Sequence, residues 1–92
     1  MKEDSAVGRT FPAGNLPAGF LPYPSETSGV VATRIGRAHI DVMFRTGGAY
    51  RYDVLSAGRA DLDEMARLAR AGQGLASFIN RVTRDRYAAK LW

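Results

Sequence analysis

The chain lacks cysteine, which excludes disulfide bonds and thiolate metal sites. Its single histidine, His39, excludes a cluster of histidine ligands. No apolar run approaches the roughly 20 residues that a membrane helix requires. Glu3 and Asp4 stand where an export signal would be basic and then apolar. We therefore expect a protein that is neither secreted through a visible signal nor bound to a membrane.

Positive charge exceeds negative charge, and the excess is unevenly distributed. The 92 residues include 13 lysines and arginines and 9 aspartates and glutamates, for a net charge of +4. Residues 1–27 contain more acidic than basic side chains, so the basic character belongs to the rest of the chain. Such a domain attracts polyanions, although many basic proteins use their charge only to stay soluble. Charge alone therefore makes nucleic acid a candidate partner and no more.

The composition of residues 1–27 predicts an extended N-terminal arm. All four prolines lie within the first 24 residues, and proline removes backbone donors that a helix or a sheet interior needs. The arm also has large apolar side chains, which gain little by staying in water. We expect these side chains to dock onto a partner protein or a second copy of the chain, and not to fold back on their own domain. They are Phe11, Leu16, Phe20, Leu21 and Tyr23.

From residue 28 onward, apolar and polar residues alternate, as they do in strands with one buried face. The pattern predicts a three-stranded antiparallel meander. Gly36-Arg37 suits a two-residue turn between the first two strands, since glycine supplies the positive φ. That register sets Ile35 opposite Ala38. A three-residue turn at Thr46–Gly48 then joins the second strand to the third.

The second turn decides where two tyrosines point. A three-residue turn pairs Phe44 with Tyr50 on the apolar face. It also pairs Val42 with Tyr52 on that face. Both tyrosines are then expected to be core residues. The alternative is that they form a platform on which bases stack. The opposite face is expected to be exposed, and it carries Arg34, His39, Asp41, Met43, Arg45, Arg51 and Asp53.

Two helices are predicted to cover the apolar face. The first begins near Asp61, which forms a capping box with Glu64, and it ends at the glycines of residues 72–74. Its inner stripe is Leu62, Met65, Ala66 and Ala69. The inner stripe of the second helix is Leu75, Phe78, Ile79 and Val82. The sequence thus indicates an α+β fold, a three-stranded antiparallel β-meander covered on one face by two C-terminal helices. This domain spans residues 28–92 and follows the arm of residues 1–27.

The hairpin sequence from Phe44 to Val54, with two adjacent glycines and a Tyr50-Arg-Tyr52 centre, resembles the signature of the KTSC domain. That family is a short bacterial and phage module, also found at the C-terminus of some lysyl-tRNA synthetases. The resemblance spans roughly residues 28–87 and implies the fold. It also implies a location in the bacterial cytoplasm or in a phage particle. The family has no established activity, and RNA binding has been suggested for it. Further residues similar to the family pattern are Phe78, Val82, Arg84 and Tyr87.

Residue patterns that support catalysis are missing from the sequence. It offers no nucleophile–base pair, phosphate-binding loop or cluster of metal ligands. Asp61, Asp63 and Glu64 lie close together, but acids in the first turn of a helix stabilise its dipole, and this explanation suffices. We therefore expect no enzymatic activity, no cofactor and no small-molecule substrate.

The end of the chain combines positive charge with aromatic rings. A segment of this kind can hold phosphates or an acidic protein. The alternative is a solvated helix face whose last-turn arginines stabilise the helix dipole. The residues concerned are Arg81, Arg84, Arg86, Tyr87, Lys90 and Trp92.

Two functions are consistent with these observations. The leading hypothesis is a non-catalytic interaction module that docks onto a larger protein assembly, or onto copies of itself, through the arm and the C-terminal tail. The alternative is a small RNA-binding module that uses the basic C-terminal helix and tail. Salt discriminates between them, because phosphate-driven binding weakens steeply as salt rises whereas apolar docking does not.

Overall fold

A computed structural model describes residues 16–25 and 27–92, which form an α+β fold around one antiparallel sheet. The α+β prediction is confirmed, but the sheet has five strands in chain order instead of three. Both ends of the described chain pair with the edges of the predicted meander. The strands are β1 (Leu21–Pro22), β2 (Val30–Ile35), β3 (His39–Phe44), β4 (Ala49–Asp53) and β5 (Ala89–Lys90).

Three helices follow β4, and the helical region ends in a π-helical turn. They are α1 (Val54–Ala57), α2 (Arg59–Ala71) and α3 (Leu75–Phe78), followed by the π-turn (Ile79–Thr83). The predicted end of the first helix is confirmed, because Gly72 terminates α2 with a left-handed φ of 75°. Within the described residues, no helix is long and apolar enough to cross a membrane.

The capping box predicted at Asp61 and Glu64 is wrong. The box instead starts α1, where the Ser56 amide donates to the Asp53 carboxylate at 2.8 Å and the Asp53 amide donates to the Ser56 hydroxyl at 3.0 Å. Helix α2 begins at Arg59, so Asp61 already lies inside its first turn. Glu64 pairs with Arg67 one turn further along, at 2.6 Å.

The helices cover one face of the sheet and enclose the larger core. The predicted inner stripe of α2 is confirmed, since Leu62, Met65 and Ala69 are buried and Ala66 is half-buried. In the next helical segment Leu75 and Ile79 are buried, whereas Phe78 and Val82 are half-buried. The strands contribute Val30, Ile40, Val42 and Tyr52.

Both predicted turns have the wrong register, although the strand faces are mostly right. Thr33 lies opposite Val42, and Val42 lies opposite Tyr50. Each pairing differs from the predicted one by two residues. Because side chains alternate with a period of two, a shift of two residues keeps them on the same face. Tyr52 is therefore buried as predicted, but its partner on β3 is Ile40.

Hydrogen bonds define the turns that the structure adopts. In the first hairpin, the Gly36 amide donates to the His39 carbonyl at 2.8 Å, so Arg37 and Ala38 are the turn residues. Gly36 is not among the glycines with positive φ, so that part of the prediction is wrong. The imidazole of His39 lies over Gly36, where a Cβ would be 2.3 Å from its Cε1. In the second hairpin, the Phe44 amide donates to the Gly48 carbonyl at 2.8 Å. The intervening residues 45–47 form the turn, with Gly47 at a φ of 112°.

The second face of the sheet was predicted to be exposed, and this is wrong for two of its residues. Asp41 and Met43 are buried there, because the arm and the C-terminal residues cross that face and form a second core. A bulge between Val30 and Ala32 in β2 places Val30 in the first core and Ala32 in the second. The other members of the second core are Phe20, Ala49 and the half-buried Leu16, Val31, Leu91 and Trp92.

The described part of the arm folds back on its own domain, contrary to the prediction. Phe20 is 5% exposed in the second core, and Tyr23 is 6% exposed in the first. The Leu75 amide donates to the Tyr23 hydroxyl at 3.2 Å. Pro22 is tolerated because β1 is an edge strand. Leu21 is 69% exposed, and Phe11 lies outside the described residues.

The carboxylate of Asp41 joins the three central strands. Arg51 in β4 donates to it from Nε at 2.7 Å and from Nη2 at 3.0 Å, and Arg34 in β2 donates from Nε at 2.8 Å. Arg34 also donates to the Ala18 carbonyl at 2.8 Å and lies 4.4 Å from the ring centroid of Phe20. Burial alone would raise the pKa of Asp41, but the two arginines outweigh it and hold the pKa below 3.8. Ionised Asp41 therefore secures both the meander and the arm.

We expect Asp41→Asn to lower the free energy of unfolding by about 2 kcal/mol, since a buried partner is removed but both arginines keep some access to water. Because the folded-state pKa of Asp41 is depressed, its contribution is fully present above its ordinary value of 3.8 and is lost as the pH falls further. Denaturation from pH 7 to pH 2 should show the two proteins converging at low pH. Glu64→Gln, which removes the exposed partner of Arg67, is the control and should behave like wild type.

Two neighbouring residues of the arm test whether it is part of the fold. Tyr23→Ala should cost about 3–5 kcal/mol, because a large buried side chain is lost from the core. Leu21→Ala should change stability by no more than about 0.5 kcal/mol, because that side chain is mostly in water. Urea denaturation measures both. Equal stabilities would show that the arm does not pack on the sheet.

Candidate functional site

A groove opens at the end of the sheet where β3 finishes. It encloses about 290 Å³ between β4, the π-turn and the segment that leads into β5. Aromatic side chains form its walls, and polar side chains stand among them. The lining residues are Phe44, Tyr50, Tyr52, Ile79, Asn80, Arg84, Asp85 and Tyr87.

Strand geometry positions the aromatic rings. Tyr50 and Tyr52 are two residues apart in β4, so both point to the same face of the sheet. Tyr87 is brought beside them because β5 pairs with β4. Its ring centroid lies 4.6 Å from that of Tyr50 and 6.3 Å from that of Tyr52. On the other side, the Phe44 ring meets the edge of Tyr50 at 5.8 Å.

The three tyrosines differ in their access to solvent. Tyr52 is buried and forms the floor of the groove, as predicted for a core residue. Tyr50 packs against the first core but is only half-buried, so the prediction that it is a core residue holds in part. Tyr87 is 38% exposed and presents part of its ring to solvent. The groove thus combines fixed inner rings with an accessible outer one.

A strained residue shapes the rim of the groove. Arg84 follows the π-turn with φ 38° and ψ −115°, and it is the one non-glycine residue with positive φ among the described residues. Its amide donates to the Ile79 carbonyl at 2.6 Å, and its carbonyl accepts from the Tyr52 hydroxyl at 2.9 Å. Such a conformation costs on the order of 1–3 kcal/mol, and conformations of this kind cluster at functional sites, as π-turns do. The Tyr52 hydroxyl therefore holds the chain in a shape that Arg84 does not favour by itself.

Burial of the Tyr52 phenol changes its acidity. Desolvation raises the pKa of Tyr52 from 10.0 to about 12, with smaller contributions from Tyr50, Tyr87 and Asp85. The hydroxyl remains protonated at neutral pH and can keep donating to the Arg84 carbonyl. The floor of the groove is accordingly neutral, whereas Arg84 and Asp85 at the rim are exposed.

The structure divides the predicted basic–aromatic segment. Arg84 and Tyr87 line the groove, and the Lys90 ammonium lies 5.9 Å from the Tyr50 ring centroid. Arg86 instead forms an ion pair with Asp61 at 2.7 Å. Arg81 is exposed on the π-turn but does not line the groove.

The last residues do not form a free tail. Trp92 is half-buried in the second core, with its ring centroid 6.0 Å from that of Phe20. Its carbonyl accepts a hydrogen bond from the Ala49 amide at 3.2 Å. The prediction of a short basic tail is therefore wrong, because β5 and Trp92 close one side of the sheet.

Of the eight lining residues, only Arg84 and Tyr87 were predicted as candidate binding residues. Phe44, Tyr50, Tyr52 and Ile79 were predicted to be core residues, and Asn80 and Asp85 were not predicted to bind. The signal that could have found Asn80 and Asp85 is their position relative to Arg84, since Asn80 lies four residues before Arg84 and Asp85 follows it directly.

Stacking and hydrogen bonding are the interactions that this lining offers. Tyrosine faces offer stacking to any planar ring, and a neighbouring guanidinium adds hydrogen-bond donors and positive charge. Within residues 16–25 and 27–92, no group of three acidic or histidine side chains could hold a metal ion. A planar ligand with hydrogen-bonding groups fits this lining best, because the charges of Arg84 and Asp85 balance.

Comparison with known proteins adds no relative, since no family model, curated protein or solved structure matches the chain. The resemblance to the KTSC domain therefore stays a prediction. The groove has to be interpreted from its own geometry.

Spectrophotometric titration should identify the phenol of Tyr52. The chain has four tyrosines, and wild type should show a late phenolate step near pH 12 that Tyr52→Phe lacks. Because the folded-state pKa is raised, the contribution of Tyr52 to stability is present below pH 10 and is lost as the pH rises toward 12. Tyr87→Phe should retain the late step. Its disappearance in that control would mean that Tyr52 is not the buried phenol.

Proposed function

We propose that the protein is a non-catalytic module that binds single-stranded nucleic acid, with a base stacked in the groove. The observation that carries the proposal is the partly exposed Tyr87 ring packed beside Tyr50 and next to Arg84. Single-strand binding proteins combine aromatic faces with nearby positive charge in this way. RNA is the preferred class because RNA binding has been suggested for the KTSC domain, which the chain resembles.

Stacking of even one base in the groove contributes to the free energy of binding. Stacking on an aromatic side chain contributes about 1–3 kcal/mol per base. Arg84 can add a stacking or phosphate contact, and Lys90 lies over the inner ring. Arg81 is exposed on the same π-turn and can meet a neighbouring phosphate. The net charge of +4 favours the encounter with a polyanion.

A second candidate function is docking onto a protein assembly. Leu21 supports it, because this mostly exposed leucine lies on β1, an edge strand whose outer side can pair with another chain. The rest of the arm supports it less well, since Phe20 and Tyr23 already serve the two cores. An assembly role in a phage or a bacterium would therefore depend on Leu21 and its neighbours rather than on the whole arm.

Fluorescence anisotropy with a short, labelled single-stranded RNA tests the leading proposal. Tyr87→Ala should weaken binding by about tenfold or more, because the accessible stacking face is lost. Leu55→Ala is the matched control, since Leu55 is almost fully exposed but lies outside the groove. Affinity should fall as salt rises. Equal affinities for Tyr87→Ala and Leu55→Ala would contradict the proposal.

Arg84→Gly separates binding from stability in the same assay. Glycine adopts the positive φ of residue 84 without strain, so this variant should be at least as stable as wild type. It should nevertheless bind RNA more weakly, because the guanidinium is gone. Arg84→Ala should bind equally weakly but unfold more easily than Arg84→Gly. If Leu21→Ala alone abolishes capture of a protein partner while RNA binding is absent, the docking function is the correct one.

A further inference from the structure

A second cavity lies at the other end of β3, between the β2–β3 turn and α2. It encloses about 210 Å³ and has a markedly cationic lining. Its position is separate from the groove, because His39 and Phe44 are at opposite ends of a strand that spans about 16 Å. The lining residues are Ile35, Gly36, Arg37, His39, Ile40, Arg59, Leu62, Asp63, Ala66 and Arg70.

Three arginines face one aspartate in this cavity. Arg59 donates to Asp63 at 3.1 Å, which holds its guanidinium at the rim and neutralises one charge. Among the described residues, neither Arg37 nor Arg70 has an acidic partner in an ion pair. The cavity therefore keeps an excess of two positive charges, before any contribution from His39.

The fold brings these charges together from distant parts of the sequence. Arg59, Asp63 and Arg70 recur on one side of α2 at near-helical spacing. Arg37 comes from the turn that precedes β3, where Gly36 leaves room for the His39 ring. Apolar side chains form the floor, namely Ile35, Ile40, Leu62 and Ala66. Such a floor lowers the local dielectric constant and strengthens attraction to an anion.

We infer that this cavity binds a phosphate group in its dianionic, monoester-like form. A phosphate monoester carries about −1.5 to −2 charges at neutral pH, which matches the excess of the lining. Arginine forks present paired N–H donors that fit phosphate oxygens. The ligand is either a free phosphate or the terminal phosphate of an oligonucleotide. The inference does not require that the groove binds nucleic acid.

Titration of the full-length, isotope-labelled chain with inorganic phosphate tests the site. The readout is a series of proton–nitrogen correlation spectra that include the arginine side chains. Phosphate should shift the resonances of Gly36 and of the three cavity arginines in a saturable manner, whereas chloride at equal ionic strength should not. Arg37→Gln and Arg70→Gln should each weaken binding by about tenfold, the effect of losing a charge-assisted hydrogen bond. Arg67→Gln is the control, because Arg67 is on the same helix but pairs with Glu64 outside the cavity.

Short oligonucleotides with and without a 5′-phosphate distinguish the source of the ligand. Binding of inorganic phosphate with no gain from the oligonucleotide supports the site with a free anion as ligand. A marked preference for the phosphorylated oligonucleotide, lost in Arg37→Gln, supports the site with a nucleic-acid end as ligand. Shifts reproduced by chloride, equal losses in Arg67→Gln, or no response to either ligand would overturn the inference. Tyr87→Ala should leave inorganic phosphate binding unchanged, so failure of the groove and failure of this cavity are separable.

Discussion

The packing of the second face of the sheet depends on the ion pairs that the ionised carboxylate of Asp41 forms. The carboxylate is removed from water, and it is stabilised because arginines from both neighbouring strands donate to it. One of them, Arg34, also reaches the arm through Ala18 and Phe20. A buried carboxylate without such partners would be strongly destabilising. The same ion pairs therefore fix the order of the central strands and the path of the chain before them.

Closure of that face has a consequence for function. The arm and the C-terminal residues form the second core, where Phe20 packs against Trp92. Since β5 then pairs with β4, Tyr87 is placed beside Tyr50 at the opposite face. The second core and the groove are thus built by the same short segment. The segment whose Trp92 packs on one face of the sheet thus positions Tyr87, a candidate ligand contact, on the other face.

The features predicted correctly from the sequence are those that follow from the periodic spacing of residues in helices and strands. The inner stripe of α2 and the inward direction of Tyr52 follow from residue spacing, and they survive a register shift of two residues. The register itself was not predicted, because the first turn is formed by Arg37 and Ala38, neither of which is a typical turn residue. The burial of Asp41 was missed because it needs partners from two other strands. The shape of the groove was missed because no sequence signal marks an arginine with positive φ.

Photocrosslinking tests the central claim, that the groove between β4 and the π-turn holds the nucleic acid, most directly. A short RNA containing a photoreactive uridine would be irradiated with the full-length chain, and the crosslinked residues would be mapped by mass spectrometry. The account predicts crosslinks at Tyr87 and Tyr50, the rings that a stacked base can reach. Crosslinks confined to the arm around Leu21 or to Trp92, with none in the groove, would contradict it.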